Sequence, residues 1–405
     1  MIRLDGNKRA EKIFSEARNL LKKGNFKKAK KKLEFLLTQK INISKVLLNI
    51  GILEFYNLNI SESFRNFQNV IGLGNPPGDV YFYLGKIFKL INNETESIEN
   101  FKKGVAFSQS EVNKLLSFEE IKEKVSPTER EELFKKATNF YVVRTTITND
   151  EDLLTKAIYD RITGNYEEAI NKLNILIENY PDFFQGYLEL AKTYEHIKKP
   201  HLSYKILKQV KKSFGEILVS LDMPRISFRL RKYRESLYYN LKYQLKKIPE
   251  NYKIYLNIAT CFSLINNDNK AINFYKKAIA YNPFEFYPYY NIGAIYQKNG
   301  LIEEALEYYK EAYNINSNNV YLNFNIGLIY FEKGNYFEAL YYFNKAYEND
   351  NKFIDAKTNF ESVRIIKTVE NNFSPDLEFS LPYKLTIGIS VFMIVLSFIY
   401  IIKWL

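Results

Sequence analysis

Apolar residues in this chain recur with helical spacing, and the helical pattern itself returns every 34 residues. Three segments starting at Tyr252, Phe286 and Val320 align without a gap. The eighth position of each is small (Ala259, Gly293, Gly327) and the eleventh is aromatic (Phe262, Tyr296, Tyr330). The twentieth is Ala271, Ala305 and Ala339, the twenty-fourth Tyr275, Tyr309 and Phe343, and the twenty-seventh Ala278, Ala312 and Ala346. Small residues at positions 8 and 20 let two antiparallel helices approach closely, and large ones at 4, 7, 11 and 24 fill the space between them. Gly300 and Gly334 stand at position 15, where a left-handed helix end is needed, and Pro283 at position 32 stops the second helix.

The same frame runs backward. Phe184 starts a unit with Ala191 and Tyr194, and Asp150 starts one with Ala157, Gly164, Ala169 and Pro181. Ala10, Ser44 and Gly78 start three more in their own unbroken register. A unit at Leu218 is degenerate: Pro224 falls inside its first helix, and Leu237 replaces the small residue at position 20. The expected organisation is an N-terminal block of three units over residues 10–111 and an irregular helical insert over 112–149. A C-terminal block of six units follows over 150–353, with 218–251 degenerate as the weak joint. Ser126-Pro127-Thr128-Glu129 signals a helix start inside the insert. Residues 354–370 read as a solvating end-cap helix.

This pattern resembles the tetratricopeptide repeat. The resemblance covers about nine units and implies an all-α solenoid of helical hairpins, whose stability sums over units and their neighbours. It also implies that first-helix positions 2, 5, 6, 9 and 12 line a concave groove that takes protein or peptide segments. Position 6 is Asn257, Asn291 and Asn325 in the last three units, and Asn49 in the second. An amide donates and accepts, so such a column can pair with the backbone of an extended peptide. Tyr287, Tyr290, Tyr321 and Phe324 surround it at positions 2 and 5. Some repeats of this kind clamp a terminal carboxylate, but the corresponding sites here carry Phe14, Arg18, Asp79 and Tyr83, so that pattern is absent.

The C-terminal end breaks the pattern. Residues 385–402 are eighteen consecutive uncharged, mostly apolar residues bracketed by Lys384 and Lys403. As a helix they would span about 27 Å, close to the hydrocarbon thickness of a bilayer. Tyr383, Tyr400 and Trp404 sit where aromatics favour the interface. A transmembrane helix at 385–402 is expected, preceded by a linker over 371–384. No secretory signal is visible at the N-terminus, so the expected arrangement is a single-pass C-terminal anchor with the repeats in the cytoplasm.

Charge and chemistry narrow the function. The net charge is +12. Residues 10–43 carry ten basic and three acidic residues, including Lys27, Lys28, Lys30, Lys31 and Lys32, and residues 218–251 carry eight and three, including Arg225, Arg229 and Arg231. These patches suit an acidic partner or an anionic membrane leaflet. Nucleic acid ranks behind, because no groove-reading motif is visible. One cysteine and two histidines exclude a disulfide framework and a cysteine-built metal site. His196 and His201 fall near a turn, Cys261 sits at a packed position, and the Gly72 to Gly78 stretch lacks the Lys-Ser/Thr of a phosphate loop. No enzyme, cofactor, metal or small-molecule substrate is expected. The expected role is a membrane-anchored protein–protein interaction scaffold, such as a structural part of an envelope motility or secretion machine, with a chaperone adaptor, or nucleic-acid or anionic-lipid binding through the basic units, as the alternatives.

Overall fold

A computed structural model describes residues 2–74, 76–108, 110–138 and 150–372. The expected membrane span at 385–402 and its linker lie outside these. Every regular element among the described residues is helical. The chain divides into two compact units, Met1–Tyr281 and Asn282–Leu405.

Among the described residues, the first unit holds seventeen α-helices. Three hairpins come first: α1 (Ile2–Lys22) with α2 (Phe26–Thr38), α3 (Ile43–Tyr56) with α4 (Ile60–Gly72), and α5 (Asp79–Leu90) with α6 (Glu94–Phe107). An irregular hairpin follows, α7 (Glu111–Ile121) and α8 (Pro127–Thr138). Its second helix starts at the Ser126-Pro127 signal, where the Ser126 Oγ accepts from the Glu129 N–H at 3.3 Å. Regular hairpins resume with α9 (Asp150–Thr163) and α10 (Tyr166–Asn179), then α11 (Phe184–His196) and α12 (Pro200–Phe214). The next contains α13 (Met223–Arg229), α14 (Tyr233–Tyr239) and α15 (Leu245–Lys247), and α16 (Tyr252–Leu264) with α17 (Asp268–Tyr281) ends the unit. The second unit comprises α18 (Phe286–Lys298) with α19 (Ile302–Ile315), α20 (Val320–Glu332) with α21 (Tyr336–Asn349), and α22 (Ile354–Asn372).

One turn geometry joins the two helices of every regular hairpin. The residue at position 15 is left-handed: Gly24, Gly164, Gly300 and Gly334, but also Leu58, Asn92, Lys198, Arg231 and Asn266. Its N–H bonds back three residues and the next N–H bonds back five, as Gly300 to Gln297 O and Leu301 to Tyr296 O at 3.0 and 2.9 Å. This double bond satisfies the last carbonyls of the first helix and reverses the chain.

Close approach is set by a matched pair at positions 8 and 24. A Cβ added at Gly51, Gly85, Gly293 or Gly327 would meet the ring of Phe67, Phe101, Tyr309 or Phe343 at 2.5–2.8 Å. Where position 8 is alanine (Ala17, Ala157, Ala191), position 24 is leucine (Leu33, Leu173, Leu207). Volume is conserved across the contact, as dense packing requires. Ala259 with Tyr275 departs from this pairing.

The degenerate hairpin corrects the sequence frame. Ser63 Oγ donates to Gly51 O at 2.8 Å and Ser97 Oγ to Gly85 O at 2.9 Å, linking position 20 to position 8. Ser236 Oγ makes the same bond to Pro224 O at 2.8 Å. Ser236, not Leu237, therefore holds position 20, and Pro224 holds position 8. The hairpin runs one residue early. Proline is tolerated there because α13 starts at Met223, where an N–H would lack a helical partner anyway. A 3-10 turn, Glu216–Val219, replaces the missing first-helix turns. A π-helical turn, Asn240–Gln244, absorbs the extra residue and restores register by α16. Glu216 ties the irregular segment down: Lys211 and Lys242 pair with it at 2.6 and 2.8 Å, and the Tyr243 hydroxyl donates at 2.5 Å.

The first unit doubles back on itself. Phe184 packs edge-on against Phe26 and Tyr56, with centroids 6.2 and 5.3 Å apart. Asn92 Nδ2 donates to Asn251 Oδ1 at 2.8 Å, and Asn251 Nδ2 donates to Leu90 O at 2.6 Å. Lys23 pairs with Asp182 at 2.8 Å, and Lys247 donates to Asn59 at 2.8 Å. The first three hairpins thus close against the later ones.

In the second unit, α22 repeats the packing of a first helix. Phe360 and Val363 lie in the cluster with Ala339 and Phe343 of α21. Lys357, Glu361 and Arg364 occupy positions 4, 8 and 11, which would otherwise face a second helix, so the solenoid ends on a charged face.

The turn makes a direct prediction. A Cβ at Gly300 would meet nothing within 4 Å, so Gly300→Ala tests the backbone alone. Urea titration should show a loss of about 1 kcal/mol. Lys198→Gly, at an exposed left-handed lysine, should gain a few tenths of a kcal/mol, about the left-handed penalty less the added unfolded-state entropy. Equal stabilities for Gly300→Ala and the parent would show that the turn is not the constraint.

Candidate functional site: the concave chamber

Closure of the first unit leaves its concave surface lining a chamber of about 770 Å³ that stays open to solvent. The side chains on its wall come from the first-helix positions that the family resemblance points to. Position 6 supplies Tyr83, Glu189 and Asp222, position 9 Lys86, Lys192 and Arg225, and position 12 Lys89 and Glu195. Asp222 and Arg225 fall into this scheme only in the shifted frame of the degenerate hairpin. A second chamber of about 580 Å³ shares Tyr56, Tyr83 and Gln185 with the first, and Gln185 Nε2 donates to the Tyr56 hydroxyl at 3.2 Å. Phe14, Arg18, Asp79 and Tyr83 line this second chamber.

A buried ion network anchors the irregular hairpin to the chamber. Arg161 on α9 is fully buried and pairs with Glu119 of α7, and with Glu189 of α11 at 2.5 Å. Lys192 Nζ also reaches Glu119, at 2.5 Å, and His196 Nε2 lies 3.5 Å from it. Burial pushes the Glu119 carboxyl up, but Lys192 and Arg161 outweigh it and hold the group down to about 2. Burial and the Arg161 charge push His196 down from its ordinary value.

Carboxylates on the wall are taken up by cations. Glu120 pairs with Lys89 at 2.5 Å, Asp222 with Arg225 at 3.2 Å, and Glu195 with Arg225 and Arg229. Lys86 differs. Its ammonium lies over the rings of Phe82 and Phe55, 4.9 and 5.5 Å from their centroids. Burial pushes it down from the usual lysine value, against the pull of Glu120.

Several residues singled out in the sequence lie elsewhere or are already engaged. Asn325 Nδ2 donates to the hydroxyls of Tyr290 and Tyr309, both at 3.2 Å. Tyr309 in turn donates to Gln297 Oε1 at 2.7 Å. This amide therefore joins neighbouring hairpins. Asn49 Nδ2 bonds its own helix at Lys45 O, 2.8 Å. Asn291 is half-buried in the second unit, and Asn257 is exposed in the first. Phe324 packs against Phe343 and Phe353. Tyr287 and Tyr321 are 55% and 60% exposed. Lys27, Lys28 and Lys31 are exposed, while Lys30 pairs with the buried Glu54 and Lys32 with Glu16, both at 2.6 Å. Arg225 and Arg229 pair with Glu195 in the chamber wall and remain about half exposed, and Arg231 is exposed at its left-handed turn. His201 is exposed, and Cys261 is fully buried, 3.6 Å from Ser236 Oγ.

Comparison with known proteins agrees with this geometry. The tetratricopeptide-repeat family model matches residues 157–182, 252–285 and 285–352. These segments are tetratricopeptide repeats within an all-α helical solenoid. No curated protein matches the chain. Among solved structures, a MamA fragment from Desulfovibrio magneticus RS-1 is 12% identical over 41% of this chain and 94% of its own, with a TM-score of 0.38. A crystal structure of MamA is 24% identical over 48% and 95%, with a TM-score of 0.26. MamA MSR-1 is 20% identical over 42% and 97%, at 0.37. Scores this low leave the fold resting on the chain's own geometry and the family matches.

The network predicts an acid limb. The Glu119 carboxyl is depressed in the folded state, so it contributes stability above the usual carboxylate range, and that contribution is lost as pH falls from about 4.5 toward 2. Glu119→Gln should cost about 3 kcal/mol in urea at pH 7 and visibly less at pH 3. An equal loss at both pH values would show that the carboxylate charge is not the source.

Proposed function

We propose that the chain is a protein–protein interaction scaffold, tethered to a membrane by residues 385–402 with its repeats on the cytoplasmic side. One observation carries the binding half of this reading. The second unit leaves Tyr287 and Tyr321 more than half exposed at position 2 of successive first helices. Two rigid aromatic side chains repeated along a groove offer contact area at low entropy cost. Half-buried Asn291 adds an amide between them in the chain order. The membrane half is supported by the uncharged run at 385–402. Among the described residues no helix is long and apolar enough to cross a membrane, so the tether rests on that run.

Two experiments test the halves separately. Carbonate extraction should leave the full chain in the membrane pellet and release a variant lacking residues 385–405. A full chain that is extracted at high pH removes the tether. For the groove, a protein partner recovered from detergent-solubilised membranes should bind the Tyr287→Ala/Tyr321→Ala variant about tenfold to a hundredfold more weakly, some 1–3 kcal/mol. Replacing Lys27, Lys28 and Lys31 by Gln should instead flatten the salt dependence of a charge-driven partner. Native affinity in the tyrosine variant with loss in the lysine variant would move the contact to α2.

A further inference from the structure

Among the described residues, the chamber of the first unit carries a cation, Lys86, with no carboxylate partner. Each carboxylate on its wall is already bound: Glu119 by Lys192, Glu120 by Lys89, Glu195 by Arg225 and Arg229, Glu189 by Arg161, and Asp222 by Arg225. Lys86 has no carboxylate within 4 Å among the described residues, and its ammonium is set against Phe55 and Phe82. A half-buried charge is ordinarily paired, because desolvation without a counter-charge is unfavourable. Lysines and arginines also outnumber carboxylates along the wall as a whole.

The rest of the wall selects what could supply the missing charge. Leu188, Leu218, Leu221 and Ile158 line the same space as Phe55 and Phe82. The volume, about 770 Å³, falls within the range of small-molecule sites. An extended peptide threaded through is disfavoured by the closure itself, since Phe184 packs on Phe26 and Tyr56 and Asn92 bonds Asn251 across the seam. Inorganic phosphate has no apolar body to cover Phe55, Phe82 and the leucines, so the wall favours an amphiphilic anion.

We infer that this chamber binds a small amphiphilic monocarboxylate, its carboxylate on Lys86 Nζ and its apolar body against Phe55, Phe82 and the neighbouring leucines. The ligand bridges α3 and α5 on one side of the closure to α11 and the 3-10 turn at Glu216–Val219 on the other. Its occupancy therefore stabilises the closed first unit by linkage. This site is separate from the tyrosine groove of the second unit and does not depend on the scaffold reading.

The test uses the full chain in a neutral detergent with 4-phenylbutyrate as probe. Isothermal titration is run alongside 4-phenylbutanamide, its uncharged counterpart, and inorganic phosphate. The carboxylate should bind and the amide at least tenfold more weakly. Lys86→Met keeps the apolar stem on the rings and should also lose at least tenfold, Lys86→Arg should retain binding, and Lys310→Met, on the exposed face of α19, should change nothing. Equal binding of acid and amide overturns the proposal without any variant, so it stays testable even if Lys86→Met fails to fold. Unchanged binding in Lys86→Met, preference for phosphate, or no binding of the acid overturns it as well.

Discussion

The left-handed residue at position 15 is the constraint from which the architecture follows. It ends the first helix, turns the chain and starts the second helix two residues later. The geometry is the same whether the residue is Gly24 or Leu58. With the turn fixed, positions 8 and 24 are brought face to face, and the distance between helix axes becomes a matter of side-chain volume. Glycine against an aromatic ring and alanine against leucine are two solutions to one spacing. The non-glycine turns show which influence dominates. Leu58, Lys198 and Arg231 accept a left-handed backbone, at about 1–2 kcal/mol each, because packing of the hairpin over-determines the turn.

That same economy explains how the chain tolerates its most irregular hairpin. Pro224 cannot sit inside a first helix, so the helix begins beside it at Met223. The displaced register would misplace every later hairpin by one residue, about 100° of rotation on a helix. The π turn at Asn240–Gln244 takes up that residue locally, and Glu216 collects four donors to hold the remodelled segment. The shift also has a consequence for the chamber. It brings Asp222 and Arg225 to positions 6 and 9, where they face the concave side.

How much of this was legible in the sequence depends on range. The 34-residue period, the small residues at positions 8 and 20 and the helix start at Pro127 are local patterns, and the helices follow them to within a residue in the regular hairpins, except that α1 starts at Ile2, eight residues before its unit. Leu237 was misassigned because a count of residues cannot see a π turn, which adds one residue without changing the chain's direction. The asparagine recurrence was visible, but its use was not: Asn325 serves Tyr290 and Tyr309, a contact across hairpins. The pairing of the exposed Arg225 and Arg229 with Glu195 was not legible, because Glu195 lies on the preceding first helix, some thirty residues away. The chamber was least legible of all. It exists because Asn92 meets Asn251 and Tyr56 meets Phe184, and no local pattern encodes a meeting between residues so far apart. Its wall could have been found by applying positions 6, 9 and 12 to the units at Gly78 and Phe184, which yields Lys86, Lys89, Glu189, Lys192 and Glu195.

The two units differ in the state of their concave surfaces. In the second unit the position-2 tyrosines stay open to solvent, and the polar groups nearby, Asn325 and Tyr309, are spent on joining hairpins. Such a surface can take a partner without a change in the fold. In the first unit the equivalent surface is closed by its own hairpins, and its polar groups are charged and paired across helices. Charged networks of this kind are weak sources of stability but strong arbiters of geometry, because any displaced partner leaves a buried charge behind. Glu119 shows this most clearly. It is the irregular hairpin's contribution to a network otherwise drawn from regular repeats, and it fixes where α7 sits against α9 and α11. The irregular hairpin is therefore a structural member of the closed unit, placed by Glu119 where a small residue at position 8 would have placed a regular one.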